Sequence, residues 1–196
     1  MKIGCVMLAS GDSTRFGSNK LMAALNGKPL LSYTLEQLPG EMTPVVVVTR
    51  YAQVEWLACL SGFTALLHDQ PDLSDTIRIG LAEMRGVDGC MFCVGDQPLC
   101  SRETMRRLIN SFGKLPPGYI VRANAAGQNG NPVLFSKAFF PELSALCMGE
   151  SGGTVMRRHP KQVVPIRIDK PYELFDVDTP QALAQAATLL ANRASL

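Results

Sequence analysis

Charged residues and long apolar runs are both sparse in this sequence. The 196 residues include 19 Lys and Arg against 17 Asp and Glu, which gives a net charge of +2. A balance this even creates no field that would draw the chain to nucleic acid or to an anionic membrane. The apolar runs are much shorter than the roughly 20 residues that span a bilayer. We therefore expect no nucleic-acid partner and no membrane partner.

Sites built from histidine or cysteine are also poorly represented. Histidine occurs at His68 and His159, and neither lies in a motif. Among the six cysteines, Cys90 and Cys93 have CxxC spacing but lie inside the apolar run CMFCVG. Residues three apart in a strand point to opposite faces, so these two thiols are not expected to share a metal. Free thiols and the lack of a signal-peptide pattern predict a cytoplasmic protein.

Apolar segments alternate with helical patterns along most of the chain. Five apolar runs indicate strands covered on both faces, as in a parallel sheet: residues 3–8, 45–49, 65–68, 90–95 and 119–123. Helical patterns lie at residues 29–38, 52–60, 75–85 and 102–112, and Ser74 and Ser101 are placed to cap the last two. This order predicts an α/β protein with a three-layer, doubly wound, mostly parallel, Rossmann-like sheet.

The last third of the chain is less regular. Residues 131–135 and 163–168 have the pattern of strands, with a helical stretch near 136–147 between them. Thr179 and Pro180 then begin a terminal helix that runs to about residue 193, with Thr179 as its N-cap. No linker or repeat divides the sequence. We expect a single domain over residues 1–196, with a small β-rich excursion between residues 119 and 170.

The segment MLASGDSTRFGSNK, residues 7–20, directly follows the first predicted strand, where ligands of open parallel sheets bind. Gly11 and Gly17 allow close backbone approach, so N–H groups can surround a phosphate. Arg15 can bind phosphate oxygens through two N–H groups, and Lys20 supplies a compact charge. The segment matches neither the Walker A nor the GxGxxG pattern. It is either a solvated loop or a phosphate site, and its position favours the phosphate site.

Carboxylates stand at two further points. Asp96, in VGDQPL, follows the strand at 90–95 and is suited to hold Mg²⁺; the alternative is a helix cap, for which Ser101 is better placed. Asp176 and Asp178, in FDVDTP, share one face if that stretch is extended, which would favour a shared cation; alternatively, one of them caps the terminal helix. Together with the cationic loop, these residues suggest a nucleoside triphosphate bound with Mg²⁺.

Four segments in this order, LASGDSTRFGSNK, VGDQPL, GNPVLF and DVDTP, resemble the nucleotidyltransferases that mature molybdenum cofactor. The resemblance to this MobA-like family covers almost the whole chain. GDQP (95–98) and GNPVLF (130–135) are complete. The family's opening pattern, roughly LAAGxSxRxGxxK, is matched by Leu8, Ala9, Gly11, Ser13, Arg15, Gly17 and Lys20.

The choice of base follows from departures within the opening segment. Guanylyltransferases of this family tend to carry LAGG and a doubled glycine before an Asp–Lys pair. This chain has Ser10 in place of that glycine and FGSNK before its helix. The segment is more similar to the molybdopterin cytidylyltransferase (MocA-like) branch, although Ser10 also departs from the alanine usual there.

Two other segments depart from the family pattern. Asp72 stands where a glycine is usual, and Thr154 stands where an arginine is common. The missing arginine removes one expected contact to the acceptor's phosphate. Arg157 or Arg158, about one helical turn along, is expected to replace it.

The resemblance implies transfer of CMP from CTP to a molybdopterin-type cofactor, with release of pyrophosphate and in-line attack by the acceptor phosphate. It implies Arg15, Lys20 and Asp96 as catalytic residues, with Mg²⁺ on Asp96 and Asp178. Implied nucleotide contacts are Leu8, Ala9, Ser10, Gly11, Ser13, Thr14, Arg15, Lys20, Ser74, Thr76 and Gly95. Implied acceptor contacts are Gln97, Pro98, Gly130, Asn131 and Pro132. A molybdoenzyme that receives the product is a further expected partner.

Three alternatives remain open at this point. The same chemistry would operate with GTP on the same cofactor, or with a sugar or sugar acid as acceptor. From another class, the chain would be an inactive nucleotide-binding partner of a molybdoenzyme. Retention of Arg15, Lys20 and Asp96 favours an enzyme, because binding alone does not require a metal ligand.

Overall fold

The computed structural model describes residues 1–194, so the last two residues of the predicted domain 1–196 lie outside it. The strands are β1 (Ile3–Ala9), β2 (Ala24–Leu25), β3 (Lys28–Pro29), β4 (Val45–Thr49), β5 (Thr64–Leu67), β6 (Gly89–Val94), β7 (Ile120–Ala125), β8 (Gln128–Ser136) and β9 (Val163–Arg167). The helices are α1 (Leu30–Gln37), α2 (Ala52–Leu60), α3 (Leu73–Ala82), α4 (Arg102–Phe112), α5 (Phe140–Ser144), α6 (Gly152–Arg158) and α7 (Pro180–Ala194).

Seven strands form one mixed sheet in the order β5-β4-β1-β6-β8-β7-β9. The neighbours from β5 to β6 pair in parallel, and β7 pairs in parallel with β9. Strand β8 is antiparallel to both β6 and β7. The predicted β-rich excursion is thus part of the main sheet, and the mostly parallel, Rossmann-like architecture is confirmed. The short hairpin of β2 and β3 was not predicted.

Apolar side chains leave both faces of the sheet and build two cores. Helices α1, α2, α4 and α7 cover one face, and α3, α5 and α6 cover the other, which makes the three predicted layers. Cys93 lies in the first core, with its Sγ 3.8 Å from Cys5 Sγ, and Cys90 lies in the second. The two CxxC thiols therefore point to opposite faces, as predicted, and burial raises the pKa of Cys90.

Helix boundaries agree with the sequence patterns where capping is strong. Ser101 Oγ accepts from the N–H of Thr104 at α4, and Thr179 Oγ1 accepts from the N–H of Ala182 at α7. The prediction that Ser74 caps α3 is wrong, because Asp72 is the N-cap residue. The helical stretch expected near 136–147 is shorter: a 3-10 turn at 137–139 leads into α5. Helix α6 was not predicted.

The register brings the carboxyl ends of three strands side by side. Leu8 of β1 pairs with Val94 of β6, and Ala9 of β1 pairs with Thr49 of β4. Gly80 lets α3 pack closely on this sheet, since a Cβ there would lie 2.5 Å from Val6 Cγ1. The start of α3 is thereby held at the edge where β1, β4 and β6 end. No helix within residues 1–194 is long and apolar enough to cross a membrane.

Candidate active site

A cavity of about 620 Å³ opens at this edge of the sheet. Most of the residues implied by the resemblance line it: Leu8, Ala9, Ser10, Gly11, Ser13, Thr14, Arg15, Lys20, Thr76, Gly95, Asp96, Asn131 and Asp178. These residues come from segments far apart in the sequence. The loop after β1, the start of α3, the end of β6, strand β8 and the segment before α7 therefore meet in one site.

The loop after β1 turns through residues with left-handed backbone conformations. Ser13 has φ 53° and Gly17 has φ 77°, and the Ser13 carbonyl accepts from the N–H groups of Phe16 and Gly17. Ser13 Oγ also accepts from the N–H of Lys20 at 3.3 Å. These bonds fold the loop back, so that Lys20 ends up buried beneath it.

Side chains from β4 and the residues after it hold the carbonyl groups of this loop. Thr49 Oγ1 donates to the Ala9 carbonyl (2.9 Å), Arg50 Nε donates to the Ser10 carbonyl (3.1 Å), and the Tyr51 hydroxyl donates to the Gly11 carbonyl (3.0 Å). Arg50 also pairs with Asp12. The sequence reasoning missed these residues. Their position could have indicated this role, because they lie at or just after the end of β4, the strand that neighbours β1.

His68 supports the same loop from the end of β5. Its Nε2 lies 2.9 Å from Ser10 Oγ, which in turn lies 3.2 Å from the Val48 carbonyl. Since the Ser10 hydroxyl has one proton to donate to that carbonyl, His68 Nε2 is assigned as the donor to Ser10. Burial and the neighbouring Arg50 lower the pKa of His68, which agrees with a neutral imidazole. His68 thus holds Ser10, the residue from which the sequence analysis predicted the base.

The charged centre of the site is a compact cluster. Lys20 Nζ lies 2.5 Å from Asp96 Oδ2 and 2.6 Å from Asp178 Oδ1, and Arg15 donates to Asp178 Oδ2 at 2.7 Å. Burial alone would lower the pKa of Lys20, but the charges of Asp96 and Asp178 and the hydrogen bonds to them raise it. The hydrogen bond from Lys20 lowers the pKa of Asp178 despite its partial burial. The structure thus brings together all three predicted catalytic residues.

Asp176 and Asp178 do not act as a pair. Asp178 lines the cavity, whereas Asp176 accepts from Gln97 Nε2 at 2.9 Å. Thr179 caps α7, as predicted, so the alternative that one of these carboxylates caps it does not hold. Burial by surrounding protein, together with the charges of Asp96 and Asp178, raises the pKa of Asp176.

Four of the five residues expected at the acceptor are not among those that line the cavity: Gln97, Pro98, Gly130 and Pro132. Gln97 is buried and is directed at Asp176, and Gly130 is packed against Leu174. Asn131 does line the cavity. Ser74, expected at the nucleotide, is buried and is also absent from the lining; its backbone N–H donates to Asp72.

Apolar residues of the second core also line the cavity, which the sequence reasoning did not predict. They are Phe92, Val133, Phe135 and Leu143, all buried, and Met156, which packs against them. Val133 and Phe135 are two residues apart on β8, and this alternation was the available signal. The antiparallel pairing of Phe92 with Val133 then joins both strands into one wall.

The structure separates the two arginines that were expected to replace the one missing at Thr154. Arg158 is held by Glu142 at 3.0 Å and by Glu150 at 2.5 Å. Arg157 donates to Thr154 Oγ1 at 2.9 Å. Of the two, Arg157 therefore contacts Thr154, the position where the arginine is missing, and it remains the candidate to replace that arginine.

The expected Mg²⁺ was tested against the donors that are present. Within residues 1–194, no group of three or more His, Cys, Asp or Glu side chains is arranged to hold a metal. Asp96 and Asp178 nevertheless converge on one point, which the ammonium of Lys20 takes up. Asp96 Oδ1 is buried and has no hydrogen-bond partner among the described residues. Because Mg²⁺ commonly binds one or two carboxylates together with substrate phosphates, this donor set fits it.

The chain is similar to known proteins over most of its length. The MobA-like NTP transferase domain family matches residues 5–163. The purine catabolism protein PucB of Bacillus subtilis (strain 168) is 28% identical over 191 residues, covering 90% of this chain and 91% of PucB. The molybdenum cofactor guanylyltransferase of Vibrio cholerae serotype O1 is 27% identical over 188 residues, covering 94% and 91%.

Solved structures share the fold of this chain. The crystal structure of Rv0371c from Mycobacterium tuberculosis H37Rv has a TM-score of 0.82 at 23% identity, covering 96% of this chain and 98% of that one. A second crystal structure of Rv0371c, in complex with manganese, has a TM-score of 0.78 at 22% identity, covering 96% of this chain and 99% of that one.

Proposed function

This chain belongs to the family of MobA-like NTP transferase domains and is a nucleotidyltransferase, and we propose that it transfers CMP from CTP to the phosphate of a molybdopterin-type cofactor. The single observation that carries the proposal is the mixed lining of the cavity. Arg15, Lys20, Asp96 and Asp178 form a charged cluster there, and apolar side chains of the second core also contribute to the lining. The charged cluster suits a triphosphate, and the apolar residues suit a flat heterocycle such as a pterin.

The residues of the charged cluster act through position and charge. Arg15 and Lys20 leave their carboxylate partners to contact the β- and γ-phosphates, and so offset the charge that develops on leaving pyrophosphate. The loop held by Thr49, Arg50 and Tyr51 presents its N–H groups to the same phosphates. The attacking phosphate is already ionised at neutral pH. No general base is therefore assigned.

Asp96 and Asp178 would hold a Mg²⁺ ion, whose charge would neutralise the phosphate oxygens at the reacting phosphorus. The unpartnered Asp96 Oδ1 supports this assignment. So does the complex of the structurally similar Rv0371c with manganese. Lys20 takes up the space between the two carboxylates, so it has to turn toward the phosphates when the ion is bound.

The acceptor's ring system would lie beside the apolar lining residues Val133 and Phe135, which are themselves buried. Asn131 would supply a polar contact beside them. Arg157 donates to Thr154 Oγ1 and is not among the lining residues, so it would have to turn into the cavity to meet the acceptor's phosphate in place of the missing arginine. A molybdoenzyme would then receive the finished cofactor.

The base is assigned to cytosine from Ser10. Its hydroxyl is engaged with His68 and the Val48 carbonyl, which fixes a side chain where guanylyltransferases carry glycine. A side chain at this point reduces the room for a purine. The second candidate is GTP, and the similarity to the Vibrio cholerae molybdenum cofactor guanylyltransferase favours it.

The test supplies purified protein and Mg²⁺ with molybdopterin cofactor and either CTP or GTP, and measures pyrophosphate release. Release with CTP alone, lost in Asp96→Ala, supports the proposal. Release with GTP alone contradicts the assignment of the base but keeps the reaction. No release with either nucleotide, despite tight binding of one, contradicts the acceptor or the activity.

A further inference from the structure

Asp72 joins two segments that both contribute to the lining of the cavity. Its Oδ1 accepts from the N–H of Ser74 at 2.9 Å, and its Oδ2 accepts from the N–H of Gly149 at 3.0 Å. The first bond caps α3, and the second reaches the loop between α5 and α6. Residues 71–73 and residues 151–153 both line the cavity, so the two hydrogen bonds of Asp72 connect two parts of the chain that line it.

The loop that Gly149 belongs to is braced from within. Glu150 Oε2 accepts from the N–H of Cys147 at 2.9 Å, and Arg158 donates to Glu150 Oε1 at 2.5 Å. Gly149 itself has φ 79°, a left-handed conformation that favours glycine and turns its N–H toward Asp72. Residues 147–151 therefore form one unit, and Asp72 ties this unit to the start of α3.

The residues near the two tied segments indicate which substrates the tie could connect. Thr76 of α3 and Lys20, which follows the loop after β1, line the cavity where the nucleotide is proposed to bind. Ser151 and Met156 line it on the side of the tied loop, where the acceptor is proposed to bind. The glycine usual at position 72 in the family would offer no side-chain acceptor for either bond. Asp72 is thus a feature of this chain rather than of the family pattern.

We propose that Asp72 is a positioning residue that clasps loop 147–151 to the start of α3, so that binding of the nucleotide orders the wall against which the acceptor binds. The identity of the two substrates rests on the proposed function, but the clasp itself does not. When the first substrate has already ordered this wall, binding of the second substrate costs less conformational entropy. The hydrogen bonds from Ser74 and, after them, the one from the backbone N–H of Gly149 lower the pKa of Asp72.

Asp72→Asn separates the two bonds. The amide oxygen still accepts from Ser74 and keeps the cap of α3, whereas the amide N–H₂ group faces the N–H of Gly149 and cannot accept from it. We expect amide hydrogen exchange in residues 147–151 to become about three- to tenfold faster, as for the loss of one modest hydrogen bond. Exchange at the start of α3 should stay unchanged. Asp75→Asn, which removes a charge from the same helical turn where Asp75 faces Arg78, is the matched control.

The coupling has its own measurement. In the unmodified protein, CTP with Mg²⁺ and no acceptor should slow exchange in residues 147–151, and in Asp72→Asn it should not. With both substrates, Asp72→Asn should raise the KM for molybdopterin cofactor about three- to tenfold and leave kcat within about twofold.

The outcomes distinguish this inference from the proposed function. Equal exchange in Asp72→Asn and the unmodified protein, or an equal change in Asp75→Asn, overturns the clasp. A CTP effect that persists in Asp72→Asn, or an unchanged KM, overturns the coupling. If the protein shows no transfer to molybdopterin cofactor at all, the proposed function fails, but the exchange experiments still decide the clasp because they need no acceptor.

Discussion

Replacing Lys20 with methionine tests the charged cluster most directly. The change removes the ammonium that lies 2.5 Å from Asp96 Oδ2 and 2.6 Å from Asp178 Oδ1 and keeps an unbranched side chain. The Lys20 side chain is 11% exposed and that of Asp96 19%, so water replaces little of the lost attraction. Removing one partner of a buried pair costs about 3–5 kcal/mol. Because Asp178 is 35% exposed, we expect the free energy of unfolding to fall by about 2–3 kcal/mol, at or just below the lower limit of this range.

Unfolding experiments measure this loss. For a chain of this size, it corresponds to a fall in Tm of about 4–12 °C. A divalent cation should restore much of it in Lys20→Met, since a ligand at about 100 times its Kd contributes about 2.7 kcal/mol. The unmodified protein, free of nucleotide, should respond less to Mn²⁺ because Lys20 already lies between the carboxylates. Lys28→Met is the matched control: Lys28 pairs with the exposed Glu36, so its loss should cost less than about 1 kcal/mol.

Two results would refute the reasoning. If metal-free Lys20→Met is as stable as Lys28→Met, the cluster contributes no net stability. If Mn²⁺ stabilises Lys20→Met and the unmodified protein equally, the cation does not bind between Asp96 and Asp178. Titrations of Tm against Mn²⁺ concentration, at fixed pH and ionic strength, separate these two results.

Asp96→Asn keeps the shape of the side chain, and we expect pyrophosphate release to fall at least about 100-fold while CTP affinity, measured by calorimetry, changes less than about tenfold. The stability difference between the unmodified protein and Lys20→Met should be constant at intermediate pH. The hydrogen bond from Lys20 lowers the pKa of Asp178, so the difference should shrink as the pH falls from the ordinary value of 3.8 through the lowered one. The pKa of Lys20 is raised, so the difference should also shrink as the pH rises from 10.5 through the raised value; urea unfolding across this range checks both limits. Gly80→Ala places a Cβ 2.5 Å from Val6 Cγ1 and should cost about 1–3 kcal/mol in urea unfolding, whereas Gly40→Ala, with no atom within 4 Å, should cost less than about 0.5 kcal/mol.

The elements that could be predicted are those with strong local patterns. Strand β4 is a run of valines, and Ser101 and Thr179 are efficient caps, so their boundaries depend on neighbours in sequence. The site residues after β1 and β6 could be predicted because ligands of parallel sheets bind beyond the ends of their strands. Lys20 and Asp96 were identified on this ground, and they do meet.

The elements that were missed depend on distant contacts. Helix α6 begins with two glycines and is held by a capping box between Ser151 and Thr154, so its local pattern is weak. Which side of β8 would line the cavity depends on its pairing with β6. Asp72 was assigned to no role because its second partner, Gly149, is 77 residues away.

The charged cluster also limits how a nucleotide can enter. Arg15 and Lys20 carry two positive charges, and Asp96 and Asp178 carry two negative charges, so the cluster is neutral as a whole. A triphosphate that binds without a divalent cation has to take Lys20 from its two carboxylates, which leaves these unpaired beside the phosphates. This arrangement is unfavourable both for the unpaired carboxylates and for the phosphates beside them. CTP affinity should therefore fall at least about tenfold when Mg²⁺ is replaced by a chelator, and this dependence should largely disappear in the double variant Asp96→Asn, Asp178→Asn, in which Lys20 has no charged partner to leave.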